Sequence, residues 1–319
     1  MSDLGRVQPW SDAEVAAREL ERRLSLKVMR NEPLAEHTTM RVGGPADLLV
    51  TIRDRFALRG IVRLAAARGW PLRILGRGSN VVVGDHGLRG IVALNRSAGY
   101  ELDPVQGTVS FDSGIPMAKA STIAADAGLT GLEFALAIPG NIGGAIWANA
   151  GAHGGDMAGI TQSITLLRAD GSEGEITAPE AQFGYRDSRF KRPEGQGEVI
   201  LGATVYLRAG APDVIKERLE EIRRWRREHQ PLGIPSAGSV FRNPPNQLSA
   251  GALLDAAGVK GLRIGGAEVS TMHANWILNR GGATAADIKA LHDACRDAVL
   301  AHNGIALETE IAFIGEFAR

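Results

Sequence analysis

The stretch that decides the fold lies between residues 138 and 155 and reads IPGNIGGAIWANAGAHGG, with six glycines and no charged side chain. Together with the uncharged residues 134–137 before it, it is long enough for a transmembrane helix of roughly 20 residues. A lipid-facing helix would accommodate its glycines, proline and asparagines poorly, because backbone polar groups in lipid must find partners within the protein. Two interpretations remain open: a packed core segment, or backbone that lies close against a ligand.

A second glycine-rich loop, LGRGSN at residues 75–80, follows an apolar run as PGNIGG at residues 139–144 does. Successive backbone N–H groups in such loops form concave anion sites, and glycine permits the required dihedral angles. Two such loops suit a diphosphate that bridges two large groups, as in a dinucleotide, but the pattern also fits two tight turns without a ligand. A Rossmann site is not predicted, because Val81 stands where the third glycine of that fingerprint belongs.

The composition indicates the class of protein and its surroundings. Hydrophobic residues make up 44% and charged residues 23% of the 319 residues, which is typical of a globular chain with two or three domains. The 36 basic residues equal the 36 acidic ones, so we expect no nucleic-acid partner. The N-terminus lacks a signal-peptide pattern, so we expect a cytoplasmic protein without membrane insertion.

Cysteine and histidine usage limits the kinds of site. Cys295 is the only cysteine, which excludes an intrachain disulfide and a cysteine-cluster metal site and fits a reducing compartment. The seven histidines include no pair three to five residues apart, so a helical zinc motif is excluded while a scattered site stays open. We expect no metal.

Apolar periodicity and start and stop signals predict a mixture of helices and strands. Ser11 with Glu14, and Thr284 with Asp287, have the spacing of a capping box. The segment 231–245 is rich in Pro, Gly and Ser and is predicted to be a loop. The predicted helices cover residues 12–28, 56–69, 117–127, 213–229 and 284–304, and the predicted strands cover residues 46–52, 71–76, 81–84, 109–111, 164–167, 199–207 and 311–314.

Seven motifs follow one another between residues 31 and 317. They read NEPLAEHTTMRVGGPADLL, LGRGSNVVV, GLEFALAIPGNIGGAIWANAGAHGG, FGYRDSRFK, PSAGSVFRNPP, GALLDAAGVKGLRIGGAEVSTMHANWILN and ETEIAFIGEF. In this order they resemble the UDP-N-acetylenolpyruvoylglucosamine reductases, the MurB family of flavoenzymes that make UDP-N-acetylmuramate for peptidoglycan. The short interval between YRDS and AGSVF resembles the type II branch, which lacks an extra tyrosine-bearing substrate loop. Ala137, His153 and Met40 depart from the family pattern around the flavin site.

The resemblance implies an α+β fold with two regions. The first is a two-subdomain FAD-binding region of the PCMH or vanillyl-alcohol-oxidase type, and the second is a C-terminal α+β substrate-binding domain. A composition change at residues 209–212 agrees with such a division. We therefore expect an N-terminal helix and FAD-binding subdomain 1 in residues 1–98, FAD-binding subdomain 2 in residues 99–209, and the substrate-binding domain in residues 210–319.

The implied reaction is the NADPH-dependent reduction of a small molecule, UDP-N-acetylglucosamine enolpyruvate, through non-covalently bound FAD. Reduced flavin N5 delivers hydride to C3 of the enolpyruvyl group, and negative charge then develops at C2 and in the adjacent carboxylate. The protein must stabilise that charge and protonate C2. The family does not determine the oligomeric state of this chain, for which we expect a monomer.

Three residues match the catalytic positions of the family. Ser239 is expected to protonate C2, Arg186 to hold the substrate carboxylate with its planar fork of donors, and Glu310 to donate from a protonated carboxyl group. Each also has a structural interpretation from the sequence alone. Ser239 could be a turn hydroxyl, Arg186 could pair with Asp187, and Glu310 could be a surface partner for a cation.

The resemblance also implies binding residues. The expected FAD contacts are Arg41, Gly76, Arg77, Gly78, Ser79, Asn80, Pro139, Gly140, Asn141, Gly143, Gly144, Asn149, Ala150 and Gly151. The expected substrate contacts are Tyr185, Arg227 and Asn243. Arg227 belongs to a cluster of four arginines at residues 223–227 that could meet the UDP diphosphate, although interleaved glutamates indicate a largely solvated helix face.

Two other functions remain as alternatives. One is a different flavin oxidoreductase on the same fold, acting on a small hydroxy acid or alcohol. The other is a non-catalytic module that binds flavin or a nucleotide sugar. The C-terminal motifs count against the first, and the presence of all three catalytic residue types counts against the second.

Overall fold

The computed structural model describes residues 10–317, which form two compact units that are each discontinuous in sequence. Unit 1 comprises the described residues up to Val50, residues 68–93 and the described residues from Gln230 onwards. Unit 2 comprises residues 51–67 and 94–229. The division into three consecutive domains at residues 98 and 209 stays a prediction.

Helices and strands are mixed along the described chain, which confirms the predicted α+β class. The helices are α1 (Ala13–Leu24), α2 (Arg55–Arg68), α3 (Met117–Asp126), α4 (Ile142–Ala148), α5 (Pro212–His229), α6 (Ala250–Ala256) and α7 (Ala285–Asn303). The strands are β1 (Val28–Pro33), β2 (Pro45–Ile52), β3 (Leu72–Leu75), β4 (Val81–Val83), β5 (Leu88–Asn95), β6 (Tyr100–Asp103), β7 (Thr108–Asp112), β8 (Leu129–Thr130), β9 (Gly151–Ala152), β10 (Gly155–Asp156), β11 (Thr161–Leu167), β12 (Glu173–Thr177), β13 (Val199–Tyr206), β14 (Arg208–Ala209), β15 (Ser236–Ser239), β16 (Arg263–Ile264), β17 (Ala267–Val269), β18 (Trp276–Asn279) and β19 (Ala312–Ile314).

Unit 1 is built on two small sheets and helix α7. One four-stranded sheet, most of which lies in this unit, has the order β1-β2-β5-β3, and a second has the order β15-β18-β17-β16. Strand β19 pairs with β4 in parallel, which joins the C-terminal segment to the strand after the LGRGSN loop. Apolar side chains of α6, α7, the second sheet and neighbouring segments form one core. Its members include Met40, Val82, Phe241, Leu253, Leu254, Ile277, Ile288, Leu291 and Cys295.

Unit 2 is built on a five-stranded antiparallel sheet with the order β12-β11-β13-β7-β6. Over most of β7 and β11, buried residues alternate with less buried ones, so these strands present one apolar face to the core. Helices α3 and α4 contribute to the same core, which contains Phe111, Ile115, Met117, Ile142, Ile146, Ile164, Leu166 and Val205. This core includes Ile142 and Ile146 and so positions the uncharged segment at residues 138–155.

The ends of two helices test the predicted caps. At α7, the Thr284 hydroxyl accepts from the N–H of Asp287 at 3.0 Å, and the Asp287 carboxylate accepts from the N–H of Thr284 at 2.9 Å. The predicted box is therefore confirmed there. At α1 the prediction was wrong: Asp12 occupies the cap position without a side-chain hydrogen bond to the helix, so Ser11 lies one residue too early.

One further prediction is corrected. Residues 236–239, predicted as part of a loop, form strand β15, because Ser236 and Ser239 pair with Leu278 and Trp276 of a distant strand. A composition signal cannot detect such pairing. The glycine-rich segment contains a helix of only seven residues, α4. Among residues 10–317, each helix falls short of the length and apolarity that a membrane crossing requires.

Candidate active site

The glycine-rich segment in unit 2 is held by backbone pairing to the chain that follows β7. The carbonyl of Gly140 accepts from the N–H of Met117 at 3.0 Å. The N–H groups of Ile142 and Gly143 donate to the carbonyls of Ile115 and Ser113, each at 2.9 Å. These two N–H groups are used inside the protein and therefore do not face a ligand.

A buried network of polar side chains holds the same segment in place through hydrogen bonds. The Asn95 amide donates to the Ser113 hydroxyl at 2.8 Å and its oxygen accepts from the N–H of Ser97 at 3.0 Å. The Ser97 hydroxyl accepts from the N–H of Gly114, and the Asn141 amide donates to the Gly114 carbonyl. All four side chains are buried, so their hydrogen bonds are costly to break. Sequence reasoning did not identify Asn95, Ser97 or Ser113.

Two adjacent glycines of α4 lie in different surroundings. A Cβ atom on Gly143 would be 2.9 Å from the Cβ and 3.2 Å from the carbonyl oxygen of Ser113. A Cβ atom on Gly144 would meet no heavy atom of residues 10–317 within 4 Å, and Gly144 is exposed. Gly143 therefore permits close packing, whereas Gly144 leaves bare backbone that a cofactor phosphate can approach. This open surface fits a dinucleotide such as FAD.

The LGRGSN loop lies in unit 1 and packs against residues 37–39. Gly78 has a φ of 62°, and a Cβ atom there would be 2.7 Å from the carbonyl oxygen of His37. The carbonyl of Gly78 accepts from the N–H of Thr39 at 3.1 Å. Only glycine combines this left-handed conformation with such close contact. Arg41, which follows the same segment, is itself left-handed with a φ of 55°.

The predicted FAD contacts divide between the units. Unit 1 contains Arg41, Gly76, Arg77, Gly78, Ser79 and Asn80, and unit 2 contains Pro139, Gly140, Asn141, Gly143, Gly144, Asn149, Ala150 and Gly151. In unit 1 the Asn80 amide donates to the carbonyl of Glu310 at 3.1 Å, and the carbonyl of Asn80 accepts from the N–H of Ala312 at 2.9 Å. Asn80 therefore ties the glycine loop to the strand that carries Glu310.

Backbone pairing brings Ser239 and Glu310 together in unit 1. Ser239 is exposed at the end of β15. The carbonyl of the next residue, Val240, accepts from the N–H of Glu310 at 2.8 Å. An antiparallel bridge between Phe241 and Thr309 continues this pairing. Two residues that lie 71 positions apart in sequence thus share one edge of the unit.

The Glu310 carboxylate is largely buried beside a cation. Its side chain is 11% exposed, and Oε2 lies 3.2 Å from Nε of Arg242. Arg242 therefore places a positive charge against this carboxylate, and it is a residue that sequence reasoning missed.

His292 supports this edge from within unit 1. Its Nε2 lies 2.8 Å from the Thr309 hydroxyl and its Nδ1 lies 2.9 Å from the Asp293 carboxylate. Its ring stacks on Phe241 with 4.7 Å between centroids. Burial lowers the pKa of His292, against the opposing effect of Asp293. The helical spacing of His292 from buried Ile288 was a sequence signal that could have identified it as an inward-facing residue.

Arg186 lies in a tight turn of unit 2. The N–H of Gly184 donates to the carbonyl of Asp187 at 2.9 Å, and the N–H of Asp187 donates back at 3.2 Å. Arg186 has a φ of 53°, which costs a non-glycine residue about 1 kcal/mol or more. Its Nη2 donates to the carbonyl of Gly151 at 2.7 Å, and its guanidinium carbon lies 5.6 Å from the centroid of the exposed Tyr185 ring.

Asp187, the alternative partner considered for Arg186, forms an ion pair with Arg192 at 2.5 Å. That pair lowers the pKa of Asp187 although its partial burial acts in the opposite direction. The carboxylate of Asp187 thus serves to hold the end of the turn in place.

The predicted substrate contacts Arg227 and Asn243 are both exposed. Two arginines of α5 reach the glycine-rich region: Nη1 of Arg226 donates to the carbonyl of Leu136 at 3.1 Å, and Nη2 of Arg218 donates to the carbonyl of His153 at 3.2 Å. Burial lowers the pKa of Arg226. Asn243 accepts through Oδ1 from the N–H of Ala250 at 3.0 Å and so helps to begin α6.

His153, one of the departures from the family pattern, lies against α5 in unit 2. Its ring meets that of Trp225 edge to face at 4.9 Å, and Trp225 stacks on His229 at 4.7 Å. Burial, followed by the charges of Arg218 and Arg226, lowers the pKa of His153. The ring is therefore held neutral near neutral pH and serves as an aromatic packing group.

Comparison with known proteins finds relatives over nearly the whole chain. Residues 46–176 match the FAD binding domain family, and residues 230–314 match the UDP-N-acetylenolpyruvoylglucosamine reductase C-terminal domain family. A UDP-N-acetylenolpyruvoylglucosamine reductase from Heliobacterium modesticaldum is 43% identical over 290 residues, which cover 90% of this chain and 91% of the relative. One from Moorella thermoacetica is 42% identical over 306 residues, which cover 96% of this chain and 99% of the relative.

A solved structure agrees with the sequence relatives. The crystal structure of UDP-N-acetylenolpyruvylglucosamine reductase (MurB) from Thermus caldophilus superposes with a TM-score of 0.76 and 34% identity. The match covers 90% of this chain and 98% of that structure. These relationships confirm the resemblance predicted from the seven motifs, and FAD is the cofactor that the matched binding domain takes. The chain belongs to the UDP-N-acetylenolpyruvoylglucosamine reductase (MurB) family.

Proposed function

We propose that the chain catalyses the NADPH-dependent reduction of UDP-N-acetylglucosamine enolpyruvate to UDP-N-acetylmuramate in the cytoplasm, a step of peptidoglycan precursor synthesis. The observation that carries this proposal is the exposed hydroxyl of Ser239 beside the backbone pairing of Val240 with Glu310. A weak acid and a carboxyl group on one edge suit a reaction that must stabilise and then protonate a carbon atom.

When bound, FAD supplies the redox chemistry, which is the transfer of a hydride from NADPH to C3 of the enolpyruvyl group. The residues that would hold FAD include the LGRGSN loop of unit 1 and the surface left open by Gly144 in unit 2. The neighbouring Gly143 and the Asn95–Ser113 network keep the backbone of the second site rigid.

Ser239 donates its proton to C2. A serine hydroxyl is a weak acid, but the enolate-like carbon that follows hydride addition is basic enough to accept the proton. Because Ser239 is exposed, its alkoxide regains a proton from water before the next turnover. The hydride added at C3 and the proton added at C2 together saturate the C2–C3 double bond of the enolpyruvyl group.

Arg186 binds the substrate carboxylate. Its guanidinium is a planar fork with five N–H donors, and its Nη2 is already oriented by the carbonyl of Gly151. The charge of Arg186 favours the state in which negative charge spreads from C2 into the carboxylate. Strained backbone conformations occur often at functional sites, and the positive φ of Arg186 fits a residue whose side-chain orientation is needed for function.

Glu310 completes the stabilisation of that charge. Its side chain is largely buried, and its Oε2 lies 3.2 Å from Nε of Arg242. An anionic substrate carboxylate beside Glu310 favours protonation of one of the two carboxyl groups, because like charges repel. Glu310 then donates a hydrogen bond to the developing charge instead of repelling it.

The experiment follows the visible spectrum of the purified protein through both half-reactions. NADPH should bleach the flavin absorption, and UDP-N-acetylglucosamine enolpyruvate should restore it. We expect Ser239→Ala to leave bleaching unchanged and to slow the recovery about 10²- to 10⁴-fold, the usual contribution of a general acid.

Ser236→Ala is the matched control, because it removes a buried hydroxyl from the same strand. It should change neither half-reaction by more than a few-fold. A wild-type protein that gains no flavin spectrum with added FAD contradicts the proposed function. Equal slowing of both half-reactions by Ser239→Ala contradicts the proton-donor role of Ser239.

A further inference from the structure

We infer that Asn149 is a positioning residue for Arg186 and acts through the turn at residues 184–187, not by contact with the flavin. The inference rests on the proposed function and deepens it. The resemblance assigned Asn149 to FAD binding, but the hydrogen bonds of its side chain point to the segment that carries Arg186.

Both ends of the Asn149 amide are used inside unit 2. Its Nδ2 donates to the carbonyl of Gly184 at 2.8 Å, and its Oδ1 accepts from the N–H of Ala158 at 2.9 Å. A carbonyl can only accept and an N–H can only donate, so these partners determine the orientation of the amide. The side chain is buried, and both its nitrogen and its oxygen are engaged by partners within unit 2.

The backbone of Asn149 also requires this residue type. It ends α4 in the left-handed conformation, with φ 42° and ψ 59°. Asparagine adopts this conformation more readily than other residues that have a side chain. Two residues later, the carbonyl of Gly151 accepts from Nη2 of Arg186 at 2.7 Å. Residues 149–151 therefore contact the Arg186 turn twice, once at its backbone and once at its guanidinium.

The surrounding charges explain why asparagine and aspartate are not equivalent here. Nδ2 of Asn149 lies 3.5 Å from Oδ2 of Asp156. The other oxygen of Asp156 accepts from the N–H of Gly159 at 3.0 Å. An aspartate at position 149 would place an oxygen against the Gly184 carbonyl and close to a second carboxylate, which repels the turn.

Asn149→Asp is the decisive variant, because it keeps the size of the side chain and tolerates the left-handed backbone. In the FAD-loaded full chain, we expect the FAD dissociation constant and the rate of bleaching by NADPH to stay within about threefold of wild type. Recovery of the flavin by the enolpyruvyl substrate should slow on the order of 10- to 100-fold, as expected from the loss of a buried hydrogen bond.

A double-mutant cycle shows whether Asn149 acts through Arg186. Arg186→Gln alone should slow flavin recovery strongly, and adding Asn149→Asp to it should slow recovery by less than about threefold more. Asn246→Asp is the matched control, since Asn246 is an exposed left-handed asparagine with a φ of 58° in unit 1. It should behave as wild type in every measurement.

Hydrogen exchange gives a readout that needs no turnover. We expect the amides of Gly184 and Asp187 to exchange faster in Asn149→Asp than in wild type, while Asn246→Asp leaves them unchanged. If wild type does not reduce the substrate, the proposed function fails, and hydrogen exchange still decides the link between Asn149 and the turn.

Three results would overturn the inference. The first is loss of FAD binding, or equal slowing of both half-reactions, in Asn149→Asp. The second is a double variant in which the two effects on flavin recovery multiply. The third is unchanged exchange of the turn amides.

Discussion

Replacing Gly143 and Gly144 by alanine, one at a time, tests how the glycine-rich segment works. Both residues lie in the same short helix, α4, and neither has a positive φ, so alanine is compatible with the backbone at each. Alanine favours a helix over glycine by about 1 kcal/mol at either position. The two variants therefore differ in what the added methyl group meets.

The contacts determine the expected difference in the free energy of unfolding. At Gly143 the methyl group would be 2.9 Å from the Cβ of Ser113, which is buried and held by Asn95. Overpacking of this kind costs about 1–3 kcal/mol. Gly143→Ala should thus lose up to about 2 kcal/mol after the gain in helix propensity, whereas Gly144→Ala should gain up to about 1 kcal/mol.

The assay is urea unfolding of the flavin-free protein, followed by circular dichroism, together with a titration of FAD. Gly144→Ala should unfold at the same or a higher urea concentration than wild type but bind FAD at least about tenfold more weakly, because its methyl group occupies the open surface. Equal unfolding midpoints for the two variants would refute the packing argument at Gly143. Unchanged FAD affinity in Gly144→Ala would refute the proposed approach of the cofactor.

Two further predictions concern unit 1. Asp85 accepts from the N–H groups of Ala285 at 2.8 Å and Ala286 at 2.9 Å, so Asp85→Ala should cost about 1–2 kcal/mol of unfolding free energy by loss of this cap on α7. The folded protein binds a proton at His292 more weakly than the unfolded chain, whose ordinary pKa is 6.5. The stability that neutral His292 contributes is therefore complete above that value and decreases as the pH falls below it. In urea unfolding, the free energy of unfolding of His292→Gln should decrease less than that of wild type between pH 7.5 and about 5.5.

Exposed residues provide the controls for these two predictions. Asp126→Ala removes a carboxylate that is exposed at the end of α3, and it should leave the unfolding midpoint unchanged. His302→Gln removes an exposed histidine in the last turn of α7, and the pH dependence should stay that of wild type. An Asp85→Ala protein as stable as wild type, or a His292→Gln protein with the full loss at low pH, would contradict the corresponding argument.

The sequence by itself determined the features that depend on neighbouring residues or on ordered motifs. The capping box of Thr284 and Asp287, and the stop at Gly304, are local signals, and α7 begins and ends where they predict. The seven motifs identified the family because their order is specific. The pattern at Ser11 misled because cap spacing alone does not say which residue adopts the cap conformation.

Only the tertiary structure decided what depends on contacts between distant residues. Gly143 and Gly144 are identical residues in the sequence, but only the fold places Ser113 against the first and leaves space at the second. The family resemblance predicts Asn149 as a cofactor contact, and only the fold reveals that its amide also donates to the carbonyl of Gly184. The physical reason is that hydrogen bonds and close packing act over a few ångströms in space, and a linear sequence does not record which residues the fold brings that near.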